Sequence, residues 1–347
     1  MGRVLAFAID TIQHGFFARS RGQGGLSCVG NNARGICITG PTSCGKTDLA
    51  LSLANEFDVE IVSMDSAMVY RGMDIGTAKP SQTIRKEVPH HLVDILEPTE
   101  VYSAGRFASE ARKIIDEIAE RGKLPLVVGG TLLYLRALRN GLASLPGADS
   151  AIRASLDKEA MERGWPALHQ RLKEIDPKAA ARIAPMDRQR IQRALEVYEI
   201  TGTPLSKQLK DRTGQGLPAD DLDLTTFILM PADRGELGRR IETRFDGMVE
   251  AGLISEVARL RSRGDLTAVT PAVRAVGYRQ VWAYLHNEYA WEEAHRRAIT
   301  ATRQLAKRQM TWLRAETDAE RLAIDVKKTA SKELMSRVRG ACVKLAT

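Results

Sequence analysis

At 347 residues, with 44% apolar and 27% charged residues, the chain is long enough for one large or two ordinary domains around a substantial core. A formal charge of +8 and a pI near 9.4 favour a polyanionic partner. The cysteines, Cys28, Cys37, Cys44 and Cys342, form no C-x-x-C pair, and no run approaches the roughly 20 apolar residues of a membrane span, which excludes a disulfide scaffold, a zinc ribbon and a transmembrane protein. A reducing, cytoplasmic setting and no membrane partner are the expectation.

Residues 1–35 open with "VLAFAI", which Asp10 interrupts, and continue through "RSRGQGG" and "GNNARG". That is not the apolar core and small-residue cleavage site of a secretory signal, and a flexible extension without a fold of its own is expected. The first strand is expected at "GICITG" (35–40), followed by "GPTSCGKT" (40–47) and a helix over "KTDLALSLANEF". A second strand, "VEIVSMDS" (59–66), and a third, "LPLVVGGT" (124–131), flank the helical "SAGRFASEARKIIDEIAERG". Short apolar strands alternating with helices predict an α/β fold, a parallel P-loop-like sheet covered on both faces, with ligands beyond the carboxyl ends of its strands. Gly40, Asp65 and Gly129–Thr131 all fall at those ends.

From about residue 150 the texture becomes helical, polar and basic, then loosens at "DRTGQGLPADD" before the strand-like "TTFILMP" (225–231) and the helical "DRGELGRRIETRFDGMVEAG". The organisation predicted is a first core part at 36–145, a helical insertion at 146–222, a second core part at 223–318 and a polar tail at 319–347. On the helix "RRAITATRQLAKRQMTWLRAE", Arg296, Arg303, Lys307 and Arg314 fall on one stripe, and no Asp or Glu lies between Glu293 and Glu316. A solvated face is the plain reading of such a stripe; the lack of acids turns it toward a track for phosphates.

Gly40, Pro41, Thr42, Ser43, Cys44, Gly45, Lys46 and Thr47 have the spacing of a phosphate-binding loop between a strand and a helix. Its backbone N–H groups cradle phosphate oxygens, Lys46 adds a point charge, and the Thr47 hydroxyl is placed for Mg²⁺. Asp65 fits either a metal ligand or a base that takes a proton from a nucleophile, and spacing does not choose. Thr131 follows two glycines and either contacts a phosphate or leaving-group oxygen or caps the next helix. His90 and His91 point to opposite sides of an extended segment and are read as structural. Cys44, beside a helix N-terminus and Lys46, is expected to be alkylated with loss of activity, and diphosphate should protect it.

The blocks "GPTSCGKT", "DSAMVYRGMDIGTAKP", "PHHLVDI", "YSAGRF", "VVGGTLLYL", "DRQRIQRALEVYEITG", "RAVGYRQVW" and "TRQLAKRQMTWLR" together resemble the bacterial tRNA dimethylallyltransferases, in collinear order from about 36 to 315. The resemblance implies that the loop holds the diphosphate of dimethylallyl diphosphate, with Mg²⁺ as cofactor, and that a monomer prenylates N6 of the adenosine at position 37, in the anticodon stem-loop of tRNA. It implies Asp65 as base, Thr131 at the bridging oxygen of the departing diphosphate, and Arg244, in preference to Arg240, beside it. Asp65, Ser66, Ala67 and Met68 are implied to meet the target base. Three further segments are implied to line the tRNA: Gln189, Arg190, Ile191, Gln192 and Arg193; then Arg274, Ala275, Val276, Gly277, Tyr278 and Arg279; and last Lys307, Arg308, Gln309, Met310, Thr311, Trp312, Leu313 and Arg314. Ser43-Cys44 departs from the family's usual Ala-Ser, which puts one bond to diphosphate in doubt. A small-molecule kinase would explain the loop and Asp65 but not the basic helices, and a non-catalytic RNA-binding protein would keep the loop as a relic.

Overall fold

The computed structural model describes residues 33–141, 145–211, 222–324 and 332–346. The expected extension before residue 33 and nearly all of the loose 211–221 segment lie outside the described residues. Strand β1 (Ala33–Thr39) runs through the glycine loop into helix α1 (Lys46–Ala54). Next come β2 (Val59–Met64), α2 (Gln82–Glu87), the two-residue β3 (His90–His91), α3 (Ala104–Glu120), β4 (Leu124–Gly129) and α4 (Leu132–Asn140). Helices α5 (Ser150–Arg163), α6 (Trp165–Ile175), α7 (Pro177–Ala180), α8 (Arg188–Thr201) and α9 (Leu205–Asp211) follow. The chain returns to the sheet as β5 (Leu222–Pro231), then forms α10 (Arg234–Glu250), α11 (Leu253–Ser262), α12 (Tyr278–Leu285), α13 (Trp291–Leu313), β6 (Glu320–Ile324) and α14 (Lys332–Ala346).

The six strands pair in the order β3-β2-β4-β1-β5-β6, every pair parallel. Alternate side chains divide between the two faces, as the two-residue strand period requires. Cys37, Val62, Val127 and Ile228 enter one apolar cluster, whereas Ile36, Ile38, Ile61, Leu126 and Phe227 enter the other. Helix α3 shows why the covering elements are helical. Ser103 caps it by accepting from the Arg106 N–H at 3.1 Å, and Phe107, Ala111, Ile115 and Ile118 recur on one buried face. Each large side chain of that face contributes about 1.5–3 kcal/mol by leaving water.

Residues 150–211 gather around their own apolar cluster of Leu156, Trp165, Leu168, Leu172, Ile191 and Leu195. Buried Glu196 joins the module internally, accepting from Arg153 at 2.8 Å, from Arg193 at 2.7 Å and from the Asp149 N–H at 2.9 Å. Burial pushes its carboxyl up, but these bonds outweigh the desolvation and hold it below the ordinary carboxylate range.

The segment expected as a polar tail is part of the core. Strand β6 extends the sheet beside β5, and Leu322, Ile324, Met335, Val338 and Cys342 are buried in the cluster that covers α1. Met335, Val338 and Cys342 recur at helical spacing, but the charged residues between them mask that period in the composition. Burial pushes the thiols of Cys37 and Cys342 up to about 12, so both are inert core groups.

Candidate active site

The phosphate loop bends through two left-handed residues, Ser43 (φ 61°) and Gly45 (φ 89°), the second capping α1 with no side-chain bond. The first-turn N–H groups of α1 have no partner within the helix and face out past its N-terminus. Lys46 folds back over the loop, its Nζ donating to the carbonyls of Pro41 at 2.7 Å and Gly40 at 3.0 Å. Gly40 is held between the Leu229 carbonyl and the Cys44 thiol, where an added Cβ would stand 2.7 and 2.8 Å from them. Cys44 itself is fully buried, packed with Ile38, Leu49 and Leu229, and its Sγ lies 3.9 Å from Lys46 Nζ. The expectation of an alkylatable thiol is therefore corrected: reagent cannot reach Sγ without opening the loop.

Asp65 leaves the end of β2 in a tight turn, with Oδ1 accepting from the N–H groups of Ala67 (2.8 Å) and Met68 (3.2 Å). Oδ2 has no hydrogen bond among the described residues. Thr131 stands at the end of β4 and does not use its hydroxyl to cap α4; Oγ1 instead accepts from the Ser66 N–H at 3.2 Å. Gly129 makes that approach possible, since a Cβ there would sit 2.0 Å from the Met64 carbonyl oxygen.

Two arginines of α10 face this edge. Arg240 is bound to Asp48 at 3.1 Å. Arg244 makes no hydrogen bond among the described residues and keeps a surface open to solvent. Although its side chain reaches solvent, crowding by surrounding protein, then the neighbouring Arg240 charge, lowers its pKa, with Asp48 and Asp65 opposing. It remains cationic at any physiological pH. A guanidinium without a carboxylate partner and an Asp65 with one oxygen unengaged border the same phosphate loop. That set can bind a polyphosphate and move a proton beside it.

The predicted RNA segments divide by exposure. Ser66, Gln189, Arg190, Arg274, Arg279, Lys307, Arg308, Thr311 and Arg314 are exposed, with Ala67, Met68, Ala275, Val276 and Trp312 half-buried. Five others do not offer a surface: Ile191, Gly277, Tyr278, Met310 and Leu313 are buried. Gln192 and Arg193 turn inward, to Asp157 at 2.8 Å and to Glu196. The stripe on α13 is also revised. Arg296 pairs with Glu293, and Arg303 reaches Glu242 on α10 at 2.8 Å, so half of the presumed phosphate track is neutralised by the protein itself. Lys307 and Arg314 have no carboxylate partner among the described residues.

Three residues hold the site: Glu256 and Lys79, to which the sequence reading gives no role, and Gln309, which it implies only as part of the tRNA lining. Glu256, buried on α11, accepts from the N–H groups of Asp74, Ile75 and Gly76 and from Tyr278 Oη at 2.5 Å, clamping the "DIGTAKP" loop onto the "RAVGYR" segment. Lys79, whose side chain is buried, binds Asp74 at 2.7 Å and Asp94 at 2.5 Å. Gln309 on α13 accepts from the Thr42 N–H and donates to the Gly130 carbonyl, both at 2.9 Å. These contacts span up to 267 residues of chain, and no local pattern reveals them. His90 and His91 sit in the edge strand, bonded to the Val88 carbonyl and to Glu60, both at 2.7 Å, in keeping with structural parts.

Among the described residues no helix is long and apolar enough to cross a membrane, and no group of three His, Cys, Asp or Glu side chains is placed to hold a metal. The IPP transferase family model matches residues 68–316. The chain is 57% identical over 281 residues to a tRNA dimethylallyltransferase of Alkalilimnicola ehrlichii, covering 81% of this chain and 87% of that one. It is 52% identical over 295 residues to one of Ralstonia nicotianae, covering 84% and 91%. Among solved structures it resembles the full-length tRNA isopentenylpyrophosphate transferase of Bacillus halodurans (37% identity, TM-score 0.63, 90% of this chain and 98% of that). It also resembles a eukaryotic dimethylallyltransferase solved acting on tRNA (27% identity, TM-score 0.72, 88% and 77%). With the family model matching most of its length and relatives more than half identical over most of both chains, the chain belongs to the IPP transferase family.

Proposed function

We propose that this protein transfers the dimethylallyl group of dimethylallyl diphosphate to N6 of the adenosine at position 37 of tRNA, beside the anticodon, releasing diphosphate. The observation that carries the reading is the bond from the Ser66 N–H to Thr131 Oγ1, which sets Asp65 next to Thr131 at the mouth of a phosphate loop. The first-turn amides of α1, Lys46, Thr131 and Arg244 are arranged to stabilise a leaving diphosphate, the largest electrostatic demand of the reaction. The allylic C–O bond breaks, its electron pair departs with the diphosphate, and the N6 lone pair forms the new C–N bond. Asp65 Oδ2 takes the N6 proton, while Oδ1 stays anchored by the Ala67 and Met68 amides.

The donor chemistry suits Mg²⁺, which binds through few protein oxygens and mainly through substrate phosphates and water. Thr47, at the start of α1, would hold it. When bound, the ion neutralises charge on the diphosphate oxygens.

Adenine must leave its stack to reach Asp65, at a cost of a few kcal/mol. Lys307, Arg308 and Arg314 on one side, and Gln189 and Arg190 on the helical module, would meet the anticodon stem through salt-sensitive phosphate contacts, a reading that their exposure supports. We take one chain to act on one tRNA in the cytoplasm. The test is mass analysis of nucleosides from unmodified tRNA incubated with the protein, the prenyl donor and Mg²⁺. One added isopentenyl group on one adenosine is expected; consumption of the ATP γ-phosphate with no such product would point to a kinase instead.

A further inference from the structure

We propose that Gln309 is a positioning residue that holds the diphosphate loop in register with the leaving-group hydroxyl, and not an RNA contact; what the site does is taken from the reading above, and what Gln309 does from its bonds. The last two turns of α13 separate by direction. Lys307, Arg308, Thr311 and Arg314 face solvent, while Ala306, Met310 and Leu313 are buried in the core. Gln309 lies on the inward side, and its amide engages two loops at once. Oε1 accepts from the Thr42 N–H and Nε2 donates to the Gly130 carbonyl.

Those two groups belong to neighbouring strand ends. The β1–β4 ladder pairs Thr39 with Gly129 and stops there, so Gln309 continues the tie beyond the sheet, from Thr42 in the phosphate loop to Gly130. On one side of the amide is the phosphate cradle, and on the other is the residue preceding Thr131. The fit is close: a Cβ on Gly130 would stand 2.6 Å from Gln309 Nε2.

The chemistry of the position selects glutamine. It requires an acceptor and a donor at once, without charge beside a diphosphate. Glutamate would set a second acceptor against the Gly130 carbonyl, and lysine would leave the Thr42 N–H without a partner. The buried neighbours of Gln309 on α13 make its anchor rigid, so the amide sets the distance between cradle and hydroxyl. A misplacement of about 1 Å at a reacting centre costs on the order of 10²-fold in rate.

The test compares Gln309→Leu, Gly130→Ala and their double variant with Lys307→Ala in the full chain. Calorimetry reads inorganic pyrophosphate binding, filter binding reads tRNA, and nucleoside analysis reads turnover. Gln309→Leu and Gly130→Ala should each weaken pyrophosphate binding about 10-fold and lower turnover ~10–10²-fold, while tRNA affinity stays within about twofold. The double variant should be little worse than the poorer single one, because both break one clamp. Lys307→Ala should show the opposite split. The proposal is overturned if Gln309→Leu lowers tRNA affinity as Lys307→Ala does with pyrophosphate binding intact, or if the two single effects simply add. Should Gln309→Leu fail to fold, Gly130→Ala alone reads the same clamp. A wild-type protein that binds pyrophosphate but prenylates nothing would end the transferase reading while leaving the clamp measurable.

Discussion

The carboxyl edge of the sheet and the helical module of 150–211 are built by different means. At the edge, backbone does most of the holding. Gly40 and Gly129 let main chains touch, Ser43 and Gly45 turn the loop, and Asp65 and Thr131 are fixed by amide N–H groups. In the module, side-chain ion pairs do it: Glu196 with Arg153 and Arg193, and Arg171 with Glu159 and Glu199. The edge can therefore leave Arg244 and one oxygen of Asp65 without partners, ready for substrate, whereas Arg153, Arg171 and Arg193 of the module are held by its own carboxylates. Changes at the edge should separate activity from stability, and changes in the module should not.

The largest expected effect tests the edge directly. Asp65→Asn keeps the acceptor that the Ala67 and Met68 amides need but removes the base, so turnover should fall ~10²–10⁴-fold with the melting temperature unchanged. A loss of melting temperature in step with activity would make Asp65 a turn residue only. Next, Arg244→Ala should lower turnover ~10²–10³-fold, while Arg240→Ala, whose charge Asp48 already holds, should cost about 10-fold or less. Single-turnover rates decide this, and equal losses would erase the distinction between the two arginines.

In the module, Glu196→Ala should destabilise by about 1–3 kcal/mol, less than a fully buried pair because Arg153 and Arg193 can regain water. Hydrogen exchange should localise the loss to 150–211, with weaker tRNA binding and unchanged pyrophosphate binding. Weaker pyrophosphate binding would show the two regions to be coupled.

The smallest effect concerns the edge strand. Burial raises the Glu60 carboxyl, but bonds from Arg121, His91 and Lys123 outweigh it and bring the group to about 2, from an ordinary 4.5. Its folded value is the lower one, so its contribution is complete above about 4.5 and fades as pH falls toward 2. Glu60→Gln should flatten that part of an acid-unfolding curve, and an unchanged curve would show that the cluster stabilises nothing.

What could be read in advance follows the range of the interactions. The loop, Asp65 and Thr131 are local turns at strand ends, so glycine spacing and strand periodicity reveal them. Arg303 reads as unpaired in the sequence because no acid follows Glu293 in its helix, but Glu242 comes from α10, across the bundle. Ile191 and Tyr278 lie within basic segments, and only the three-dimensional packing shows that they face inward. Glu256 binds backbone groups 180 to 182 residues away and Gln309 binds groups 179 and 267 residues away, contacts with no periodicity to detect. Proximity of Cys44 to Lys46 in the sequence says nothing of access, and the thiol is fully buried.

The strand order has a practical consequence for dissecting the molecule. Strands β1 and β2 precede the stretch 68–316 that carries the family's signature, and β6 follows it. A fragment cut at those bounds would retain β3, β4 and β5, none of which neighbours another in the sheet. Such a piece would have three unpaired ribbons and no ladder to close, and should collapse or aggregate when expressed alone.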